Sequence, residues 1–266
     1  MDREPVISVR DLTAGYPGRP VLEHISVDVM PGRITCIVGP SGCGKSTLLK
    51  CIVGLLRPLS GSVFLLGQDL TTMDEQQVQS ALSRVGLLFQ QGAMLNSITV
   101  AENVALPLRE HTSLPASVMA EMVRLKLELV GLAHAADLLP SELSGGMRKR
   151  AALARAMTLD PEVLLCDEPS AGLDPQTAAG LDMLILKLRE TFGMTVVVVT
   201  HELPSIHKIA DDVIMLGRDG RLRFAGTLAD ATRSDDPEVL DFFARREPEV
   251  PLGTSSLLDI LQGVNT

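Results

Sequence analysis

A glycine-rich segment that follows an apolar run constrains the fold of this chain more than any other feature. Residues 39–47 read Gly-Pro-Ser-Gly-Cys-Gly-Lys-Ser-Thr and fit the phosphate-loop pattern G-x-x-x-x-G-K-[ST]. Residues 34–39 predict a buried strand before it, and a helix is predicted from about Lys45 to Leu56. The glycines let backbone N–H groups face phosphates, and the helix dipole adds positive potential. The alternative is a glycine-rich structural turn.

Residue roles within this loop follow from the chemistry of phosphate binding. Lys45 is predicted to contact the β- and γ-phosphates, and the Ser46 hydroxyl to ligate Mg²⁺, with Thr47 nearby. Cys43 is either an unreactive small residue or a thiol whose pKa the helix N-terminus lowers, and the first interpretation is favoured. The residues predicted to surround the nucleotide phosphates are Gly39, Pro40, Ser41, Gly42, Cys43, Gly44, Lys45, Ser46 and Thr47.

Two carboxylates end a second apolar run. Residues 163–168, Val-Leu-Leu-Cys-Asp-Glu, predict a strand whose carboxyl end is where open parallel sheets bind ligands. Asp167 is predicted to hold Mg²⁺ through water, and Glu168 is the candidate general base that polarises the attacking water. The alternative is an ordinary acidic loop after a strand. Together with the phosphate loop, the pair indicates ATP, magnesium and hydrolysis.

Two more polar residues stand at the ends of predicted strands. Gln90 ends a strand at 85–90, and its amide is a candidate contact for Mg²⁺ and the attacking water. His201 follows a strand at 195–200, where a neutral imidazole is a candidate partner for the γ-phosphate. Taken alone, such a Gln is usually a solvated loop residue and such a His is more often structural. The candidate catalytic residues are Glu168, His201 and Gln90.

A second candidate anion site lies at residues 143–150, Leu-Ser-Gly-Gly-Met-Arg-Lys-Arg. Ser144, Gly145 and Gly146 precede a helix rich in Arg and Ala, so a hydroxyl and backbone N–H groups meet at a helix start. Because the chain already has one phosphate site, this second site predicts binding of the γ-phosphate that another copy of the chain holds. The basic run 148–150 is either a solvated face or a contact to partner or nucleotide.

The N-terminal part predicts an antiparallel subdomain. Residues 6–12 and 21–29 alternate apolar and polar side chains, as strands with one solvated face do. Tyr16, the only tyrosine, falls in the turn between them, where its ring is a candidate for stacking on adenine. The alternative is a turn tyrosine that packs locally.

The remaining pattern predicts one α/β domain at 5–246 with an inserted helical subdomain at 91–160. The Val run at 196–199 suits a parallel strand buried on both faces. Residues 247–266 predict a tail that is either disordered or docks on the partner protomer through its Leu and Ile turns. Within the insert, apolar residues recur at helical spacing at Val118, Met122, Leu125 and Leu129.

Bulk composition excludes several classes of protein. The net charge of −9 and the absence of Trp argue against a nucleic-acid partner. The four cysteines form no C-x-x-C pair, which favours a reducing compartment without disulfides or a cysteine metal site. No signal peptide and no membrane-spanning run are expected, so any membrane role is predicted to be peripheral.

The order of these motifs resembles the nucleotide-binding subunit of ABC transporters over nearly all of residues 5–245. The resemblance implies a P-loop NTPase fold of the ABC ATPase type, with a mixed or parallel core sheet, an antiparallel β subdomain and an α-helical subdomain. It implies ATP and Mg²⁺ as cofactors. It also implies these roles: Tyr16 as the adenine-stacking aromatic, 39–47 as Walker A, Gln90 as the Q-loop glutamine, 143–147 as the signature, 163–168 as Walker B, 170–174 as the D-loop that brings Asp174 to the dimer interface, and His201 as the switch histidine.

Finer features resemble the ATPase of Mla-type lipid transporters. Residues 147–150, Met-Arg-Lys-Arg, replace the Gln-rich continuation common in other importers, and segments 89–95 and 103–111 look like the Mla ATPase. Two details depart from the pattern: Met-Leu at 94–95 where Leu-Phe is common, and Glu202 where Asp usually follows the switch histidine.

The resemblance to the Mla ATPase implies phospholipid transport between the inner and outer membranes by a homodimer at the cytoplasmic face of the inner membrane. Its implied partners are an integral membrane permease, an MCE-domain lipid-binding protein and a possible small regulatory subunit. The alternatives are a transport ATPase for another substrate, a soluble ABC-type ATPase of DNA repair or translation, and a non-hydrolysing regulatory subunit. Glu168 and His201 argue against the last.

Overall fold

A computed structural model describes residues 4–16, 18–90 and 92–244. The predicted tail 247–266, and with it the proposal that the tail docks on a partner, lies outside the described residues. The strands are β1 (Ile7–Tyr16), β2 (Arg19–Val29), β3 (Ile34–Val38), β4 (Ser60–Leu65), β5 (Gln68–Asp69), β6 (Val85–Leu88), β7 (Val163–Asp167), β8 (Thr195–Val199), β9 (Asp212–Leu216) and β10 (Leu222–Thr227). The α-helices are α1 (Lys45–Ile52), α2 (Glu75–Leu82), α3 (Val100–His111), α4 (Ala116–Leu129), α5 (Gly145–Ala156), α6 (Pro175–Phe192), α7 (Leu203–Ile209), α8 (Leu228–Ala231) and α9 (Pro237–Ala244).

The central sheet carries the strands that the sequence predicts to be buried. Its order is β10-β9-β3-β8-β7-β6, in which β9, β3, β8, β7 and β6 run parallel and β10 is antiparallel to β9. Every residue of β3 and β8 is buried, as expected for a parallel sheet covered on both faces. The register aligns the strand ends, so the loops after these strands meet at one edge of the sheet.

The smaller sheet is antiparallel, with the order β2-β1-β4-β5. In β2 the buried residues Ile25, Val27 and Val29 alternate with exposed ones, which confirms the prediction of one solvated face. The apolar face packs with α1 and one face of the central sheet into a shared core. The fold is therefore the predicted α/β class with an N-terminal antiparallel subdomain.

The inserted helices form a core of their own. Buried side chains of α3, α4 and α5 pack together, as predicted for a helical subdomain. Val118, Leu125 and Leu129 contribute little to this core, because they are 40% to 46% exposed, whereas Met122 on the same stripe is partly buried against it. The inward face of α4 holds Val123 and Leu127 instead. The helix is therefore apolar on two faces, and helical spacing alone does not tell which of them is buried.

Two predicted boundaries change for local reasons. The helix predicted at 45–56 ends at Ile52, because Gly54 adopts a left-handed φ of 67° that stops the helix. The polar segment after β4 contains β5 and α2. Asp74 caps α2 through a reciprocal pair of hydrogen bonds with Gln77, of 2.9 and 3.0 Å. Among the described helices, none is long and apolar enough to cross a membrane.

The loop that follows β6 is tied to the insert rather than to the sheet. Asn103, fully buried on α3, accepts from the Leu95 backbone N–H at 2.8 Å and donates to the Leu95 carbonyl oxygen at 3.0 Å. Arg155 on α5 donates to the carbonyl oxygens of Gly92 and Ala93, at 2.8 and 2.7 Å. Residues 92–99 therefore form one unit with the helical insert.

We expect Asn103→Ala to lower the free energy of unfolding by about 2–3 kcal/mol, because it leaves buried backbone groups of this loop without a partner. Urea unfolding of the full chain measures the change. The exposed Asn96, on the same loop, provides the matched control. Asn96→Ala should change the free energy by no more than about 0.5 kcal/mol. Equal losses in the two variants would contradict the anchoring role of Asn103.

Candidate active site

The phosphate loop joins β3 to α1 in a backbone shape that requires glycine. Gly39, Gly42 and Gly44 have φ values of 140°, 81° and 105°, which other residues rarely adopt. A Cβ on Gly39 would lie 2.3 Å from the Leu216 carbonyl oxygen, and one on Gly44 would lie 2.5 Å from the Leu22 side chain. No side chain caps α1, so the N–H groups of its first turn are left for a ligand.

Lys45 spans the mouth of this loop. Its ammonium group donates to the carbonyl oxygens of Gly39 and Pro40, at 2.8 and 2.9 Å. Cys43 is buried below it, and burial raises the pKa of the thiol although the charge of Lys45 opposes the shift. The favoured interpretation of Cys43 as an unreactive residue thus agrees with the structure. Ser46 is exposed in the first turn of α1, and Thr47 beside it is half-buried.

The two carboxylates lie at the end of β7, beside the phosphate loop. Asp167 Oδ1 and Glu168 Oε2 are buried, and neither has a hydrogen-bond partner among the described residues. Burial raises the pKa of Asp167 and the charge of Glu168 raises it further, whereas the charge of Lys45 lowers it. Two partnerless carboxylate oxygens next to a phosphate-binding loop fit a hard divalent cation, which prefers oxygen ligands.

His201 contacts the candidate base directly. It follows β8, and its Nδ1 lies 2.8 Å from Glu168 Oε1. The Glu168 side chain is 13% exposed and that of His201 is 60% exposed, so the imidazole covers the carboxylate on its solvent side. The Glu168 backbone has a φ of 47°, unusual for a residue with a Cβ, and its N–H donates to the Val199 carbonyl oxygen at 2.8 Å.

The other residues predicted for the nucleotide stand on neighbouring elements. Gln90 lies two residues beyond β6 at the same edge of the sheet, with an exposed side chain. Tyr16 ends β1 and is exposed; its pairing partner Arg19 starts β2, whose Val21 and Leu22 contact Gly44. The hairpin therefore brings the aromatic ring to the side of the phosphate loop.

The signature residues lie at the start of α5. The Ser144 hydroxyl accepts from the Met147 N–H at 3.2 Å and so caps α5. A Cβ on Gly146 would meet the Thr177 side chain at 2.4 Å, and one on Gly145 would meet Leu173 at 3.5 Å. These glycines thus pack α5 against the start of α6.

Asp174 caps α6 in the same neighbourhood. Its carboxylate accepts from the N–H groups of Gln176 and Thr177, at 3.1 and 3.0 Å, and hydrogen bonds from Thr177 lower its pKa. Asp174 therefore has a structural role within one chain, as the cap of α6. The family resemblance also implies that it lies at the dimer interface. The interface role stays a prediction.

The sequence does not single out Lys149, because the run 148–150 is compatible with either a solvated face or a contact to partner or nucleotide. Arg148 is exposed, but Lys149 is only 8% exposed and donates to the carbonyl oxygens of Gln90 and Glu168. Burial lowers the pKa of Lys149. The signal was present in the spacing: Gly146, Lys149 and Leu153 share one face of α5, and all three are buried.

A phosphate loop, an adjoining carboxylate pair and a glutamate–histidine contact at one edge of a parallel sheet define a P-loop nucleotide hydrolase. The α-helical insert adds a second glycine-rich helix start, at residues 144–146. The sequence predicts that this second anion site binds the γ-phosphate held by another copy of the chain.

Comparisons with known proteins give the particular family. A family model described as ABC transporter matches residues 22–171. The intermembrane phospholipid transport system ATP-binding protein MlaF of Haemophilus influenzae is 41% identical over 237 residues, 89% of each chain. The probable ribonucleotide transport ATP-binding protein mkl of Mycobacterium leprae is 39% identical over 253 residues, 95% of this chain and 72% of that protein. A solved dimeric ATP-binding cassette in a post-hydrolysis state, bound to ADP and Pi, is 30% identical with a TM-score of 0.77, over 84% of this chain and 98% of that chain.

This chain therefore belongs to the ABC transporter family, and it is an ATP-binding, ATP-hydrolysing subunit.

Removal of the charge at Asp167 should stabilise the nucleotide-free chain at neutral pH. The folded state raises the pKa of this carboxyl above its ordinary value of 3.8, so ionised Asp167 destabilises the folded chain relative to the unfolded one. The gain of Asp167→Asn should be present above the raised pKa and vanish as the pH falls below 3.8, where Asp167 is protonated in both states. Denaturant unfolding across a pH series measures the difference.

Asp174→Asn is the control with the opposite sign. Hydrogen bonds lower the pKa of Asp174, so its ionised form stabilises the folded chain above the ordinary pKa. This variant should lose stability at neutral pH. A loss in both variants would show that burial does not govern the Asp167 carboxylate.

Proposed function

We propose that this chain powers phospholipid transport between the inner and outer membranes. The observation that carries the proposal is the match to MlaF, which covers 89% of both chains and is named for that transport. The similarity to mkl, named for ribonucleotide transport, makes transport of another substrate the second candidate. That match leaves more than a quarter of the mycobacterial protein uncovered, so it carries less weight.

The proposed hydrolytic chemistry begins with the cation. Asp167, Ser46 and the Gln90 amide would hold Mg²⁺, because they offer oxygen ligands beside the phosphate loop. When bound, Mg²⁺ would neutralise charge that develops on the phosphates. Lys45 and the backbone N–H groups at the start of α1 would hold the β- and γ-phosphates.

Glu168 is the proposed general base. Its Oε2 has no partner among the described residues, so this oxygen is available to accept a proton from the attacking water. His201 holds Oε1 at 2.8 Å and so limits the directions in which the carboxylate can turn. The largely exposed imidazole can also reach a γ-phosphate, which would join the phosphate and the base through one side chain.

The working unit that we propose is a homodimer. Ser144, Gly145 and Gly146 would face the γ-phosphate held by the partner protomer, and Asp174 would lie at the interface; the dimeric relative supports this arrangement. The dimer would sit at the cytoplasmic face of the inner membrane. Its proposed partners are an integral membrane permease, an MCE-domain lipid-binding protein and a small regulatory subunit, and no nucleic acid takes part.

We expect Glu168→Gln to lower ATP turnover at least about 100-fold and to leave ATP binding intact, because the amide cannot accept the proton and the phosphate loop is unchanged. ATP hydrolysis and equilibrium ATP binding measure the two effects. Gel filtration with ATP should also show a dimer that persists.

Glu162→Gln is the matched control at the other end of β7, where the exposed Glu162 pairs with Arg84. It should hydrolyse ATP at the native rate. Native turnover in Glu168→Gln would remove Glu168 from the mechanism.

Affinity purification of the tagged chain from gently solubilised native membranes tests the transport proposal. Mass spectrometry should find a permease, an MCE-domain protein and bound phospholipid in the purified complex. Recovery of a different permease without phospholipid would keep the ATP site and overturn the lipid assignment.

A further inference from the structure

Lys149 joins two loops that come from different strands of the central sheet. It lies on α5, one turn after the signature, and its ammonium group is held between the carbonyl oxygens of Gln90 and Glu168. The bond to the Glu168 oxygen is 3.2 Å long. A buried lysine ammonium is costly to desolvate unless its donors find acceptors, so the two carbonyl groups account for its position.

Of the two residues that accept hydrogen bonds from Lys149, Glu168 is the one with an unfavourable backbone conformation. Its φ of 47° places a residue with a Cβ in the left-handed region, where surrounding contacts must hold it. Within the part of the chain that the structure describes, three hydrogen bonds hold this backbone: its N–H donates to the Val199 carbonyl oxygen, and its carbonyl oxygen accepts from the Ala171 N–H at 3.2 Å and from Lys149. Of these three partners, Lys149 belongs to the helical insert.

On the other side of Lys149, hydrogen bonds within the helical insert hold its parts together. Asn103 and Arg155 hold residues 92–99 on the insert, and Lys149 rises from the same α5 that carries Arg155. Because α5 also packs on the central sheet through Ala152 and Leu153, a shift of this helix relative to β7 would change the hydrogen bond from Lys149 to the Glu168 carbonyl oxygen.

We propose that Lys149 is a positioning residue that sets the backbone of Glu168 according to the position of the signature helix. The link makes the aim of the candidate base depend on where the insert lies, and it acts through hydrogen bonds to the main chain rather than through contact with ATP. The inference rests on the proposed role of Glu168 as the base.

The test compares ATP hydrolysis by the full-length chain and by three variants. Lys149→Met removes the ammonium group, and with it both hydrogen bonds, in a side chain of similar length. Lys149→Arg restores a cationic hydrogen-bond donor. Lys126→Met is the control: Lys126 is 7% exposed in the same insert, but its partner is Asp160, away from the catalytic edge.

Lys149→Met should lower kcat about 10- to 100-fold with KM for ATP changed less than about threefold, because misplacement of a catalytic group affects the chemical step. Lys149→Arg should recover most of the loss. Lys126→Met should keep native kcat even where it lowers the urea midpoint. Native kcat in folded Lys149→Met, or a Lys149→Arg variant as slow as Lys149→Met, overturns the proposal.

Hydrogen–deuterium exchange gives a readout that does not depend on turnover. Lys149→Met should speed exchange in peptides that contain Ala171, whose N–H donates to the Glu168 carbonyl, and Lys126→Met should not. If Lys149→Met does not fold, Lys149→Gln, shorter by one bond, takes its place with an expected loss of at least about fivefold. Native turnover in Glu168→Gln would refute the base itself. An inactive Glu168→Gln beside a native Lys149→Met would refute the link alone.

Discussion

The parallel alignment of buried strands is the constraint on which the site depends. Backbone pairing sets Ile37 of β3 and Asp167 of β7 beside the same residue, Val199 of β8, and Leu88 of β6 beside Cys166. A slip of one residue in any strand would turn its side chains to the opposite face and separate the loops at this edge. Strands such as β8, buried at every position, resist such a slip because both faces are packed.

The same edge of the sheet holds two neighbouring carboxylates, and burial of their charge destabilises the folded chain. Asp167 and Glu168 are adjacent and largely buried, and each has one carboxylate oxygen without a hydrogen-bond partner among the described residues. Glu168 is also held in an unfavourable backbone conformation. Lys45 and Lys149 lower the electrostatic cost from two sides. A bound cation would lower the cost of these two carboxylates and so would favour the liganded state. The site therefore lowers the stability of the nucleotide-free chain in favour of binding.

Motifs with fixed spacing were predictable from the sequence, because their chemistry and their position on strands agree. The phosphate loop and the pair at Asp167 and Glu168 are in this class, and in the structure both lie at the carboxyl ends of strands that end at the same edge of the central sheet. Residues whose role depends on helix phase are harder to predict: Lys149 resembles its charged neighbours, and its burial follows only from its place on the same face of α5 as Gly146 and Leu153. The apolar spacing at 116–131 correctly predicts α4, but it does not tell which face of the helix is buried, because the buried Lys126 lies on the inward face.

Work by an ATPase of this kind requires that nucleotide distinguish two arrangements of the protein, because equal affinity for both would shift neither. The insert has a core of its own and joins the central sheet through α5, whose Ala152 and Leu153 pack in the core of that sheet. Asn103 and Arg155 anchor the loop 92–99 to this insert, and Lys149 links the insert to the Glu168 backbone. Hydrolysis would then depend on the arrangement that the membrane partner permits. The transported molecule would affect this chain only through the conformation of that partner.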